Sequence, residues 1–331
     1  MPVTAAKVDG ARLGVDVGGT RLKLGLLHQG AVVARIIVPA DMNTPAALVA
    51  AIRTAALRLS DDCGLPITAA GVGIAGVLGL GGSPVLQSPN LPWLDGVDLR
   101  AALSASLDVP VHCDNDANCV GWGEAMAGAG RGASDQRSVN LGGVNLGAAN
   151  EMCPNQICLA LGTGVGGSLV VDGELEHGSR GRGAELGHIC VDRRGAPCGC
   201  GGRGCLEQYA SQTGLLRMMA EVGLPADGPD AIPALFAAAA AEDPRARAVV
   251  DHAGAALGQA IAGLIRLTGV RCYVFAGGIS AALPQLRPSM CRALDRYAVS
   301  DGVALLLGTL GPDAGVIGAA LLDPGPHRDR C

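Results

Sequence analysis

The chain has almost no lysine: Lys7 and Lys23 are the only two in 331 residues, set against many arginines and 51 glycines. That skew reads as a codon-composition bias and carries no function. Neither lysine stands in a G-x-x-x-x-G-K setting, which excludes a Walker-type phosphate loop. Positive charge is scarce overall. The formal net charge is -5 and no basic stripe runs along the sequence, so a nucleic-acid face has no electrostatic support and the expected partners are small molecules. The amino terminus, MPVTAAKVDGARLGVDV, lacks a basic region followed by an apolar run. No stretch is expected to approach a membrane span, so the expectation is a cytoplasmic protein without a membrane partner. In a reducing compartment, twelve cysteines argue for a metal and buried free thiols rather than disulfides.

What is present is enough chain for about two domains, taking roughly 150 residues per domain, and an alternation of strand and helix signals. Arg12 to Leu27 reads as two apolar strands joined at Gly18, Gly19 and Thr20. A helix starts at Thr44 and Pro45, carries Leu48, Ile52, Ala55 and Leu59 on one face, and ends at Gly64. A strand is expected over 70–74, a short helix after Asp98, and a strand over 109–113 leading into Asp114, Asn115 and Asp116. Further on come a long helix over about 249–267, a buried strand over 272–276 ending at Gly277 and Gly278, and a last helix over 315–322. Alternation on this scale argues for α/β layers.

The densest chemistry lies in GHICVDRRGAPCGCGGRGC, where His188, Cys198, Cys200 and Cys205 are held close by glycine turns. Structural zinc is tetrahedral and takes sulfur and nitrogen ligands, and this stretch offers three thiolates and an imidazole. Unrelated buried thiols are the weaker explanation of the cluster, and the nine other cysteines are expected to be small core residues. Glu185 precedes His188 by three residues and Glu207 follows Cys205 by two, so the metal segment also carries carboxylates.

Three glycine turns suit an anion: Asp16 to Thr20, Gly162 to Gly167 with Thr163 and Gly164, and Ala276 to Ser280 with Gly277 and Gly278. Glycine lets successive amides approach a phosphate. Gly162 to Gly167 matches the dinucleotide fingerprint, but the strand-forming Ser168 to Val171 follows where that fingerprint needs a helix, so a Rossmann reading fails. Phosphate must then be held by backbone amides, Thr20, Thr163 and a metal ion. Asp116, just after a strand, is the candidate general base for a substrate hydroxyl. A helix cap is the competing role, which Asp114 or Asn115 could fill instead. Asp16 is suited to hold magnesium through water. Asn90, between two prolines, is a hydrogen-bonder or simply a turn residue.

Over nearly the whole chain these segments resemble the ROK family of sugar kinases and repressors. The matching pieces are LGVDVGGTRLKLGLL, GVGIAG, SPNLPW, DNDAN with a later GE, LGTGVGG, GAELGHICVD, CGCGGRGCLEQYAS and VFAGGIS. The resemblance implies an actin-like ATPase (ribonuclease-H-like) fold of two α/β domains hinged around a cleft. Residues 1–115 with a returning helix in 310–331 would form the first and 116–309 the second. It implies that Asn90, Asn115, Asp116, Glu185, His188 and Glu207 hold a sugar with Asp116 as base, and that the glycine turns hold ATP with Mg2+. His188 would serve structural Zn2+ with one ring nitrogen and a sugar hydroxyl with the other. A homo-oligomer, dimer or tetramer, is part of the same expectation.

Repressor members carry a DNA-binding domain before the first glycine turn; with about a dozen residues ahead of that turn, the expectation is a member without one, and a sugar-sensing protein without catalysis is the minor alternative. CLEQYAS with GAELGHI is most similar to the glucokinase branch. Mannose, fructose or an N-acetylhexosamine as substrate, and polyphosphate as donor, remain open. One segment departs from the family pattern. Between about 136 and 156 an insertion carries the near-repeat VNLGG and VNLGA, expected as a surface loop or hairpin extension, with a lid over the nucleotide or an oligomer contact as the sharper alternative.

Overall fold

The computed structural model describes residues 10–131 and 153–323. Lys7, Cys331 and most of the insertion, with both pentapeptides, lie outside the described residues. The chain divides into two compact units, Met1–Ala127 with His177–Gly183 and Pro312–Cys331, and Gly128–Glu176 with Ala184–Gly311.

In the first unit, β1 (Ala11–Val17), β2 (Arg21–His28) and β3 (Ala31–Pro39) form an antiparallel meander. Then follow α1 (Pro45–Cys63), β4 (Ile67–Ile74), the small hairpin β5 (Val77–Leu78) and β6 (Val85–Gln87), α2 (Leu99–Leu107), β7 (Val111–Asn115) and α3 (Asp116–Ala127). The main sheet runs β3-β2-β1-β4-β7, with β4 parallel to β1 and β7 parallel to β4. Local signals set the helix limits. The Thr44 side chain accepts from the Ala47 amide at the start of α1, and Gly64 ends it at φ 64°, left-handed backbone that glycine adopts without strain. Leu48, Ile52 and Leu59 of α1 are buried on the same core as Leu13, Val15, Leu22 and Leu24 of the sheet.

The helix Ala314–Ala320 packs back on this sheet at backbone contact. A methyl group on Gly14 would sit 1.9 Å from the Val316 carbonyl, and one on Gly71 1.7 Å from the Ala319 carbonyl. Arg12 fixes the end of that helix by donating to the carbonyls of Ala320 and Leu322. Because backbone rather than a yielding side chain meets the new atom, Gly71→Ala should destabilise the first unit by about 3 kcal/mol, the upper end of ordinary overpacking. A lowered urea midpoint measures it, with Gly30→Ala, whose new methyl meets nothing within 4 Å but sits at φ 84°, as the comparison for backbone strain alone. The sequence reading put the boundary between domains after residue 115. The structure keeps α3 in the first unit, because Gly123 and Gly318 let α3 and the last helix touch backbone to backbone.

The second unit holds β8 (Gln156–Leu161), β9 (Val165–Val171), β10 (Glu174–Leu175), α4 (Glu207–Ala210), α5 (Gln212–Glu221) and α6 (Ala231–Ala240). It is completed by α7 (Pro244–Thr268), β11 (Cys272–Ala276), α8 (Leu283–Arg296) and β12 (Ala304–Leu307). Its sheet runs β10-β9-β8-β11-β12, antiparallel for the first three strands and parallel for the rest. Both units therefore share the order third-second-first-fourth-fifth. That doubled topology is the actin-like ATPase (ribonuclease-H-like) architecture. One expectation needs correcting: α7 is long and apolar enough by composition to cross a membrane, but 67% of its apolar window is buried within the unit, where Val250, Leu257, Ile261 and Leu264 are core residues. The thiols also divide more finely than expected. Cys113, Cys119, Cys158 and Cys272 are buried, whereas Cys63, Cys153 and Cys291 are half-buried and Cys190 is exposed.

Candidate active site

Strand register decides which side chains of the first unit reach one edge. Asp16 of β1 pairs with Gly73 of β4, and Gly73 with Asp114 of β7, so the three form a row across the sheet. Asp16 and Asp114 therefore stand roughly 10 Å apart, two strand spacings. Asp116 follows two residues later, where β7 passes into α3. These are the carboxyl ends of parallel strands, where α/β sheets bind ligands.

The helix that Asp116 opens is capped by its neighbour. Asn115 Oδ1 accepts from the amides of Ala117 at 2.8 Å and Asn118 at 3.1 Å, while its Nδ2 donates to the Gly76 carbonyl at 2.9 Å. Asp116 Oδ1 accepts from the Ala117 amide at 2.9 Å, and a carboxylate in the first turn of a helix is electrostatically favoured. Asp114, 6% exposed, accepts from Asn118 Nδ2 at 2.8 Å and lies 2.6 Å from His177 Nε2. Sequence reasoning missed this Asp114–His177 pair. Nothing local marks it, since the partners are 63 residues apart.

The first glycine turn closes with the Gly18 amide donating to the Arg21 carbonyl. Asn90 lies beside it: a methyl on Gly19 would stand 3.6 Å from the Asn90 Cβ. The Asn90 turn is held by Ser88, whose hydroxyl donates to the Ala75 carbonyl and whose amide donates to Asp95. Asp16 is half-buried and pairs across the strands with Lys23 at 3.0 Å.

In the second unit, the turn of Gly162, Thr163 and Gly164 joins β8 to β9, and Gly277 and Gly278 follow β11. The structure brings these two turns together. Gly277 has φ 87°, a methyl there would lie 2.4 Å from the Leu161 carbonyl, and the Ile279 amide donates to that carbonyl. Glu207, opening α4, accepts from the Val165 amide at 3.1 Å and thereby braces the first of the two turns. Glu185 is exposed at the head of the short turn Leu186–His188, which packs on β9 where Gly187 meets the Val165 carbonyl. The Leu206 amide donates to the Ile189 carbonyl, so the residues preceding Glu207 and following His188 run side by side.

The four expected metal ligands converge. The ligand atoms of His188, Cys198, Cys200 and Cys205 lie within 4.8 Å of one another. Cys198 Sγ is 3.6 Å from His188 Nδ1, and Cys200 Sγ is 3.6 Å from Cys205 Sγ. Ligands on a tetrahedral zinc ion stand about 3.5–3.8 Å apart along each edge, so both pairs have the right separation and the donor set fits zinc. Two bridges close the hairpin, Cys190 with Cys205 and Pro197 with Arg203. The amide of Gly202 and the neighbouring thiols of Cys198 and Cys205 hold the exposed Cys200 thiol below its ordinary pKa, which favours the thiolate that a metal requires.

Paired ribonuclease-H-like sheets, each with a glycine turn between its first two strands, define a protein of the actin-like ATPase class. The ROK family model matches residues 12–145 and 133–325. A glucokinase of Halalkalibacterium halodurans is 35% identical over 330 residues, 94% of each chain. Among solved structures, a ROK hexokinase from Thermus thermophilus superposes with TM-score 0.78 at 28% identity, covering 94% of this chain and 97% of its own. A ROK family glucokinase from Streptomyces griseus, in complex with glucose and AMPPNP, gives TM-score 0.73 at 29% identity over 94% and 98%. The chain belongs to the ROK family.

Proposed function

We propose that the protein is an ATP-dependent glucokinase that transfers the terminal phosphoryl group to the 6-hydroxyl of glucose. The observation that carries this reading is the 35% identity to a glucokinase across 94% of both chains, which leaves no large segment of either unmatched. In this reading Asp116 is the general base. Phosphoryl transfer passes through a loose transition state, so a carboxylate that takes the hydroxyl proton late suffices, and positioning with charge neutralisation supplies most of the rate. Asn90, Asn115, Glu185, His188 and Glu207 bind the sugar hydroxyls. Asn115 contributes only what its capping bonds leave over, one Nδ2 hydrogen.

The turns at Gly18, Gly19 and Thr20, at Gly162, Thr163 and Gly164, and at Gly277 and Gly278 receive the phosphates through backbone amides. Mg2+ near Asp16 supplies neutralisation of the phosphate charge. The pairing of Asp16 with Lys23 supports a contact through water rather than direct ligation. Zn2+ is held by His188 Nδ1, Cys198, Cys200 and Cys205, and braces the hairpin. That leaves the other ring nitrogen of His188 for a hydroxyl. The cytoplasmic homo-oligomer, dimer or tetramer, belongs to the same proposal, and light scattering on the eluted protein checks it.

A coupled assay over glucose, mannose, fructose and N-acetylmannosamine, with ATP and polyphosphate as donors, tests the function. Glucose with ATP should give the highest kcat/KM. A charge-assisted hydrogen bond to one hydroxyl is worth about 1.5–3 kcal/mol, so an epimer that misplaces a hydroxyl should lose on the order of ten- to a hundredfold. A higher kcat/KM for another sugar would reassign the substrate, and no turnover with any of them would leave the sugar-sensing alternative standing.

A further inference from the structure

Beside the cysteine hairpin, within the second unit, lies an open cavity of about 430 Å³ lined by Arg194, Arg203, Tyr209, Arg217, Glu221 and His252. No role in the proposed reaction uses it. Its charge is one-sided: three guanidiniums face a single carboxylate, Glu221, which is already paired with Arg217. Arg194 and Arg203 are exposed, and neither guanidinium makes an ion pair or hydrogen bond among the described residues. Arg217 donates from one terminal nitrogen to the Gln208 carbonyl at 2.8 Å, but its Nε is buried without a partner. Asp192 adds a second carboxylate at the edge of the cavity, accepting from the Arg194 amide at 2.9 Å and from the Tyr209 hydroxyl at 3.4 Å, so the guanidiniums still outnumber the carboxylates.

The floor of the cavity is aromatic. Tyr209 is 3% exposed, and its ring centroid lies 4.9 Å from that of His252 at a tilt of 45°. The hairpin backbone closes over it at Gly195, where a methyl group would come 2.0 Å from the Tyr209 hydroxyl oxygen. A volume of this order suits a small organic ligand and far exceeds a bare phosphate ion. Guanidinium forks match phosphate oxygens two by two.

We propose that this cavity binds a small phosphate monoester, its phosphate between Arg194, Arg203 and Arg217 and its ring against Tyr209 and His252. The assignment rests on the cavity alone and stands whichever sugar the kinase uses. It also links two parts of the chain. Arg194 and Arg203 sit on the hairpin that carries Cys198, Cys200 and Cys205, Arg217 sits on α5, and Tyr209 is two residues from Glu207. A ligand bridging hairpin and helix therefore stiffens the segment that presents Glu207.

Calorimetric titration of the full-length protein, at low salt with glucose and AMPPNP kept saturating, tests the proposal with three probes: glucose 6-phosphate, AMP and inorganic phosphate. At least one ester should bind once per chain and about tenfold or more tighter than inorganic phosphate; which ester does so distinguishes a sugar from a nucleoside source. The double variant Arg194→Gln/Arg203→Gln should weaken that binding about tenfold or more. Bound zinc is measured alongside. Should the hairpin lose metal, Arg217→Lys, which keeps the charge but removes the guanidinium fork, carries the test through the same loss. Failure of both esters to bind, binding no tighter than inorganic phosphate, or unchanged binding in Arg217→Lys overturns the proposal. If glucose and AMPPNP themselves fail to bind, the kinase reading falls while this titration still reads the cavity.

Discussion

Asp116→Asn should slow turnover by about a hundredfold or more while glucose binding changes little, the scale on which removal of a general base acts. The substitution isolates the chemistry because the structure protects the fold around it. Asparagine keeps an Oδ1 that accepts from the Ala117 amide as the aspartate does at 2.9 Å, and the helix cap belongs to Asn115, whose Oδ1 takes the amides of Ala117 and Asn118. What is lost is a proton acceptor and one negative charge at the carboxyl edge of the sheet. In kinetic terms, kcat and kcat/KM should fall together, the signature of an interaction made in the transition state. Glucose affinity is read separately by calorimetry in the absence of ATP. Unchanged turnover would withdraw the base from Asp116, and Asp114, engaged with Asn118 and His177, would not be a ready substitute.

The parts of this protein legible in its sequence are those whose signal is local. Thr44, Pro45 and Gly64 bound α1 because a cap, a fixed φ and a left-handed exit are each encoded by a single residue. The hairpin of β1 and β2, the strand before Gly277 and the ligand cluster at His188, Cys198, Cys200 and Cys205 were legible for the same reason. Other elements were hidden by the same physics. In β3 the outward residues Val33 and Ile37 are apolar and 46% and 59% exposed, so the alternation that marks a half-buried strand is erased. In α6 the run of alanines gives both faces nearly the same hydrophobicity. The Asp114–His177 pair, the contact of α3 with the last helix and the matching strand order of the two sheets are long-range facts. They depend on which backbones approach, and Gly14, Gly71, Gly123 and Gly318 record that approach only once the partner is known. The arginine cavity was invisible for a related reason, since its three guanidiniums come from a hairpin and a helix whose pairing no motif encodes.

The second large effect concerns the hairpin. Protein purified without chelator should carry one zinc ion per chain at His188, Cys198, Cys200 and Cys205, and Cys200→Ser should weaken zinc by more than about a hundredfold, beyond the loss typical of a residue that merely orients a ligand. The geometry makes Cys200 the informative position. It is exposed and its thiol is held below its ordinary pKa, so its removal deletes a ligand without opening the core, whereas Cys198 and Cys205 are buried and their replacement would confound metal loss with packing loss. The consequence should travel along the chain. The Leu206 amide donates to the Ile189 carbonyl, and Glu207 in turn holds the Val165 amide beside Gly164, so a slack hairpin loosens both His188 and the turn between β8 and β9. Glucose affinity and nucleotide affinity should therefore both fall in Cys200→Ser, and zinc added to the chelated wild type should restore them while failing to restore the variant. Affinity falls as pH drops, since protons compete with the metal for the thiolates. Metal-free protein that is fully folded and binds glucose as the holo form does would remove zinc from the account of this site.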